Sequence, residues 1–210
     1  MSGRSFLVPL IIIVNVGVFL SWNYLGWAEA VYMQANFLTS WVALEEGRYW
    51  TLITAVFSHK MLIHLLVNMF VLHSFGTLLA GVLGSRLFLM FYLSAGVISS
   101  VVHCLVSAFY IGGPGISALG ASGAVAGLVL VFSLIFPKER ILIFGLVPIP
   151  ALWGALAFIA LDLWGLSAQS QGGGLPIGHG AHLGGAFTGV LFYFFYLRRR
   201  VRRLRGGGSV

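Results

Sequence analysis

An all-α membrane bundle of six transmembrane helices with a large interfacial first loop is the fold class that this sequence predicts. Three observations carry it. The 210 residues are 59% hydrophobic and only 8% charged, where ordinary soluble domains carry about 25%, and mean hydropathy is +0.99. Apolar runs near the roughly 20 residues that cross a bilayer recur along the chain. Aromatic residues crowd into the one long connection between those runs. Composition of this kind excludes the soluble classes and predicts a polytopic membrane protein.

The runs place six spans at about 6–22, 57–79, 86–110, 121–137, 141–165 and 181–197. The first connection carries Trp22, Trp27, Tyr32, Trp41, Tyr49 and Trp50. Such rings favour the headgroup zone, so an interfacial loop with short amphipathic helices is expected there. Pro148 and Pro150 are expected to kink the start of the fifth span. Two segments follow, a membrane domain at 1–197 and a basic tail at 198–210.

Orientation follows from the basic residues. Arg4, Arg86, Lys138, Arg140, Arg198, Arg199, Arg200, Arg202, Arg203 and Arg205 fall on one side, and only Arg48 and Lys60 on the other. That asymmetry puts both termini in the cytoplasm, and a bacterial inner membrane is the expected location. The tail "RRRVRRLR" reads as a stop-transfer anchor rather than a nucleic-acid contact. Arg4, the first apolar run and "WAEA" (27–30) imitate a secretory signal, but the run is long and Asn15 interrupts it, so a retained helix is expected. With Cys104 the only cysteine, no intrachain disulfide forms, and it is expected to pack as a small apolar side chain.

Polar side chains inside a membrane are costly and by default functional. His64 and Asn68 in span two, Ser122 at the head of span four and His182 at the head of span six stand out. Counted to the cytoplasmic helix ends, Ser122 to Phe136 is about 21 Å, His182 to Leu197 about 22 Å and His64 to Ala80 about 24 Å, at 1.5 Å per residue. Three helices therefore bring Ser, His and His to one level. His64 and Asn68, at i and i+4, share a face.

A serine beside an imidazole suits nucleophilic catalysis: the ring takes the hydroxyl proton and the oxygen attacks a carbonyl. The oxyanion that forms needs donors, and backbone N–H groups at a helix N-terminus, His64 and Asn68 can supply them. Gly120 and Gly123 let the chain turn sharply at Ser122. Gly123 with Gly127, and Gly185 with Gly189, are small-xxx-small pairs that allow spans four and six to pack closely. Taken singly, each of these residues reads as helix packing or an interhelical hydrogen bond. Their shared depth beside a glycine hinge is what points to chemistry.

With "GASG" at 120–123, "AHLGG" at 181–185 followed by Gly189, and "HLLVN" at 64–68, the sequence resembles the rhomboid intramembrane serine proteases. "SHKMLIHLLVNMFVLHSFG" (58–76) is similar to the family's second span, with His59 and His64, and "PKERILIFGLVPIPA" (137–151) to its entry into span five. The resemblance covers nearly the whole chain. It implies a six-helix rhomboid-like core that cuts transmembrane segments of other proteins. It makes Ser122 the nucleophile, His182 the general base, and His64 and Asn68 the oxyanion donors.

Three positions depart from the family pattern. Thr51, not Arg, follows Trp50; Ala80 stands in a stretch where an acidic residue is expected; and Ala126 occupies a position that is often aromatic. An alanine there means either a looser base or a ring supplied by another helix, and a slot open to a larger side chain is expected. The resemblance implies a Ser–His dyad. Asp162, near the outer end of span five, is therefore expected to be solvated or hydrogen-bonded at its helix end rather than a third catalytic member.

An aspartyl mechanism needs two carboxylates sharing a proton, and Asp162 is the only Asp. No H-E-x-x-H motif is present. Catalysis free of metal and of cofactors is thus expected, with single-pass transmembrane proteins as substrates and the lipid bilayer as surroundings. The sequence specifies neither the substrate nor the oligomeric state. Two other functions fit parts of the chain: a rhomboid-like protein that binds membrane clients without cutting them, and a metal transporter lined by His59, His64, His179 and His182.

Overall fold

The computed structural model describes residues 6–24, 26–143, 146–199 and 201. Arg4, Arg200, Arg202, Arg203 and Arg205, and with them most of the expected basic tail, lie outside the described residues. The chain is mostly helical. Five helical stretches are long and apolar enough to cross a membrane: Leu7–Tyr24, Leu62–Leu83, Ser85–Ile111, Ala151–Ser170 and His179–Leu197.

Helix α1 (Leu7–Tyr24) turns Val8, Ile11, Asn15, Phe19 and Trp22 inward. Their spacing of three and four residues is the stripe of a helix with one packed face. The Trp22 Nε1–H donates to Ser58 Oγ at 2.7 Å and so ties α1 to the segment ahead of the second span. The first connection folds into α2 (Trp27–Phe37), α3 (Trp41–Glu45) and α4 (Thr51–Thr54). Ser40 caps α3, its hydroxyl accepting from the Ala43 N–H at 3.1 Å; such caps satisfy donors that a helix start leaves free.

The second span joins α5 (Leu62–Val71) to α6 (Thr77–Leu83) through a wide π-helical turn at Leu72–Gly76. The third is α7 (Ser85–Val106), extended to Ile111. The expected fourth span is shorter than the 121–137 read from hydropathy. Helix α8 (Ser122–Ile135) has 14 residues, about 21 Å at 1.5 Å per residue, against a hydrocarbon core of about 30 Å. The last residues of the glycine-rich loop before it, 118–121, are already half-buried or buried, and Pro137 follows its end, where an N–H is missing. Helix α8 packs against α7, α9 and α10, and Gly123–Leu128 are all buried. Hydropathy marks such a residue run as apolar whether lipid or protein surrounds it.

The fifth span begins ten residues later than expected. Arg140–Ile143 (β1) and Val147–Pro150 (β2) pair antiparallel, with Ile141 opposite Ile149 and Leu142 opposite Pro148. Only then does α9 (Ala151–Ser170) start. The two prolines do not kink a helix. Each removes a backbone donor and fixes φ, and the residue before each is held extended, so the helix forms once both are passed. Helix α10 (His179–Phe192) completes the bundle. Leu72, Leu79, Phe88, Tyr92, Leu128 and Val131 form the fully buried centre, and Cys104 is buried as expected, its Sγ 3.5 Å from Thr39 Oγ1.

Candidate active site

Ser122 is held by the loop that precedes it. Thr39 and Ala118 exchange backbone hydrogen bonds of 3.0 and 2.8 Å, and the Gly120 N–H donates to the Ala55 carbonyl at 2.8 Å. The buried His103 ring on α7 reaches the Ile116 carbonyl through Nε2 at 3.1 Å. The Ala121 N–H points at His59 Nε2, 3.4 Å away. His59 is fully buried; burial, assisted by the neighbouring His64 ring, pushes its pKa down to about 3. It stays neutral, so its lone pair is free to accept that N–H. Gly120 has φ +122°, and a Cβ there would lie 2.6 Å from the His64 ring. Only glycine meets both conditions. The loop thus lies against His64 as it enters α8.

The small-residue faces explain how α10 approaches. A Cβ on Gly127 would lie 2.9 Å from the Gly185 carbonyl, one on Gly189 2.8 Å from the Gly127 carbonyl, and one on Gly185 would overlap the Gly123 carbonyl. The glycines of α8 and α10 interlock as expected from their spacing, and helix backbone meets helix backbone. We expect Gly185→Ala to cost at least the roughly 1–3 kcal/mol of core overpacking, because the clash is with a carbonyl that cannot swing aside. Gly81→Ala, where a Cβ meets nothing within 4 Å, should leave stability and turnover near wild type. Equal thermal unfolding of the two variants in detergent would contradict the interlock.

At the head of this contact the His182 Nε2 lies 3.0 Å from Ser122 Oγ. Three helices therefore do not share one polar cluster equally. Ser122 and His182 meet. Among the described residues, neither His64 nor Asn68 hydrogen-bonds Ser122. Asn68 is buried and its Nδ2–H donates to the His64 carbonyl at 2.8 Å, while the His64 ring packs edge-on to His59 at 4.9 Å between centroids. Of the four histidines proposed for a transporter, the His59 ring packs against His64 and the His179 ring against His182; among the described residues they do not gather as four ligands around one point.

Asp162 takes the hydrogen-bonded of its two expected roles, but inside α9 and not solvated at the helix end. Its side chain is 5% exposed, and one carboxylate oxygen, Oδ1, accepts from His182 Nδ1 at 3.0 Å and from His179 Nδ1 at 2.7 Å. An aspartate can only accept, so it fixes the proton of His182 on Nδ1 and leaves Nε2 facing Ser122 as an acceptor. Phe158, one turn earlier, lies 5.4 Å from the His182 ring at 31° between planes. Gly165, one turn later, leaves room for the His179 ring, which a Cβ there would overlap. Phe158, Asp162 and Gly165 are spaced i, i+4, i+7 along α9. Such a stripe around a lone intramembrane aspartate is a legible sign of a partnered face.

The ring that Ala126 lacks is thus supplied by α9. Ala126 itself is buried at 5% exposure, so a larger side chain there would enter the packed interior rather than lipid. Ala126→Phe should crowd the α8 face, cost about 1–3 kcal/mol and lower kcat about tenfold or more. Unchanged kcat in the folded variant would count against this arrangement.

Residues 46–199 match the Rhomboid domain family. The chain is 33% identical over 216 aligned residues to Rhomboid protein 1, mitochondrial, of Saccharomyces cerevisiae, covering 96% of this chain and 58% of the relative. It is 29% identical over 214 residues to RHOMBOID-like protein 12, mitochondrial, of Arabidopsis thaliana, covering 96% and 61%. It is 38% identical over 150 residues to the human Presenilin-associated rhomboid-like protein, mitochondrial, covering 67% and 36%. The chain spans about 60% of the length of the first two relatives. These similarities overturn the expected bacterial inner membrane with cytoplasmic termini, since all three relatives carry mitochondrial names. The physical reason for the error is plain: a basic-residue count ranks the two sides of a membrane against each other and does not identify the membrane. With the family match covering most of its length and the motif residues 120–123 and 181–185 inside it, the chain belongs to the rhomboid family.

Proposed function

We propose that this chain is an intramembrane serine endopeptidase that cuts single-pass transmembrane proteins, in a mitochondrial membrane as its relatives' names suggest. The 3.0 Å contact between Ser122 Oγ and His182 Nε2 carries the reading. His182 takes the hydroxyl proton as Ser122 attacks the peptide carbonyl, then gives that proton to the departing amine. Water, activated by the same imidazole, releases the acyl group from Ser122. Asp162 keeps His182 in the required tautomer and offsets the charge the ring gains, which extends the expected dyad to a third member. Phe158 limits the tilt of the ring. The interlocked glycines set the distance between nucleophile and base.

The oxyanion is met by backbone N–H groups at the head of α8, which have no intrahelical partner, and by His64 and Asn68. One N–H of the Asn68 amide donates to the His64 carbonyl; its second N–H remains for the oxyanion. His64→Ala and Asn68→Ala should each lower kcat by about 10²–10³, the usual loss for one oxyanion donor, with the fold retained. Wild-type kcat in both folded variants would remove these side chains from the role.

The reading is tested by reconstituting the purified chain in liposomes with a model single-pass substrate. Cleavage that persists in chelator is expected. Absence of cleavage, or cleavage that needs added metal, would contradict it.

A further inference from the structure

We propose that Asp162, His179 and His182 form a zinc site whose occupation switches the catalytic base off. Helices α9 and α10 bring one carboxylate and two imidazoles together so that their ligand atoms all lie within 4.8 Å of one another. His179 and His182, at i and i+3, project from one face of α10, and the Nδ1 of each meets the same Asp162 oxygen. Zinc binds imidazole nitrogen at about 2.0–2.1 Å and carboxylate oxygen at about 2.0–2.2 Å in a tetrahedron, with water in an open fourth position. Tetrahedral bonds of that length hold ligand atoms about 3.3 Å apart. The contacts of 2.7 and 3.0 Å to Asp162 open by a few tenths of an ångström, and the two imidazole ligand atoms, within 4.8 Å of each other, draw together by up to about 1.5 Å through rotation of rings that share one face of α10.

The proposed proteolysis uses one of the two imidazoles. His179 is 7% exposed, its Nε2 has no hydrogen-bond partner among the described residues, and its ring has one polar contact there, the Asp162 carboxylate. A backbone N–H or a hydroxyl would steady that carboxylate equally well. An imidazole adds a second nitrogen ligand for a borderline-soft cation. The His182 side chain is 11% exposed, so the cluster is not sealed from solvent.

The consequence for catalysis follows from the tautomer. Without metal, each ring carries its proton on Nδ1, donated to Asp162. A neutral imidazole that binds zinc through Nδ1 keeps one proton, now on Nε2. No proton is lost or gained; it changes nitrogen by exchange with solvent. For His182 this reverses the bond to Ser122: Nε2–H donates to Oγ, and the ring can no longer take the hydroxyl proton. Inhibition rests on the Ser122–His182 reading above, whereas binding does not.

The test uses the full chain in detergent and zinc ion alone as the probe. Ser122→Ala protein, titrated against a chromophoric chelator, should bind one zinc per chain. Adding Asp162→Asn or His179→Asn should weaken binding by more than the roughly 10–100-fold that loss of a ligand's own hydrogen-bond partner costs. In His179→Asn the new amide can keep the bond to Asp162 while being a poor ligand, and His179→Ala is measured beside it in case one variant misfolds. Free zinc in the low-micromolar range should inhibit wild-type turnover reversibly and spare the His179 variants, each compared with its own rate in chelator. No stoichiometric binding, or binding unchanged in both the Asp162 and His179 variants, overturns the site. Binding without inhibition of an active wild-type protein overturns the switch. A wild-type chain with no turnover would sink the protease reading and leave the titration to decide the site.

Discussion

Ser122→Ala and His182→Ala should each lower turnover of a transmembrane substrate by as much as about 10⁶, the loss seen when the nucleophile or base of a serine protease is removed. The geometry gives the reason. Among the described residues Ser122 Oγ has one polar partner, His182 Nε2 at 3.0 Å, so a serine without the imidazole has no acceptor for its proton. Because the two act as a unit, the double variant should be no slower than either single one. The methods that check this are steady-state cleavage in liposomes together with thermal unfolding, which should show all three variants folded. Additive losses would mean that the two side chains work in separate steps.

Asp162→Asn should cost up to about 10⁴ in kcat, as the corresponding change does in a serine protease triad, with little change in fold. An asparagine amide turned toward the two rings offers N–H where Nδ1–H already points. The His182 ring then relieves the clash by moving its proton to Nε2, the tautomer that cannot serve Ser122. Alternatively the amide oxygen takes the place of Oδ1, and the charge that balances the imidazolium is lost. Asp162→Glu, which keeps the charge but lengthens the arm, should recover part of the rate, which a merely structural role would not predict. Turnover of Asp162→Asn within tenfold of wild type would return the site to an unassisted dyad.

How much of this was legible in the sequence differs from residue to residue. Ser122 and His182 could be paired because both sit on glycine-flanked helix heads at equal helical depth, and a 1.5 Å rise converts sequence position into depth. Gly123, Gly127, Gly185 and Gly189 were legible as a packed face because small residues at i and i+4 have few other uses in a bilayer. The role of Asp162 was not taken from the sequence, although an intramembrane carboxylate is a functional candidate by default. Its partner lies 20 residues on, beyond a loop whose path local pattern does not specify. Phe158 was invisible for a related reason: one phenylalanine among many apolar neighbours on α9 reads as lipid-facing until its rotation about the helix axis is known. The hairpin at Arg140–Pro150 was hidden by hydropathy, which scores strand and helix alike when the residues are Ile, Leu, Val and Pro. Asn68 shows the opposite limit. Its spacing from His64 places both on one helical face, yet the direction of the amide is set by a neighbouring carbonyl, which spacing does not encode.

The central claim is that Ser122 is a nucleophile activated by His182, and labelling by a fluorophosphonate probe tests it most directly. The probe phosphonylates an activated serine at its oxygen with loss of fluoride, and peptide mass spectrometry locates the adduct. A single adduct on Ser122 is expected, present in wild type and in His64→Ala protein and lost in His182→Ala. An unlabelled Ser122 in active protein, or an adduct on Ser122 that forms equally fast in His182→Ala, would contradict it.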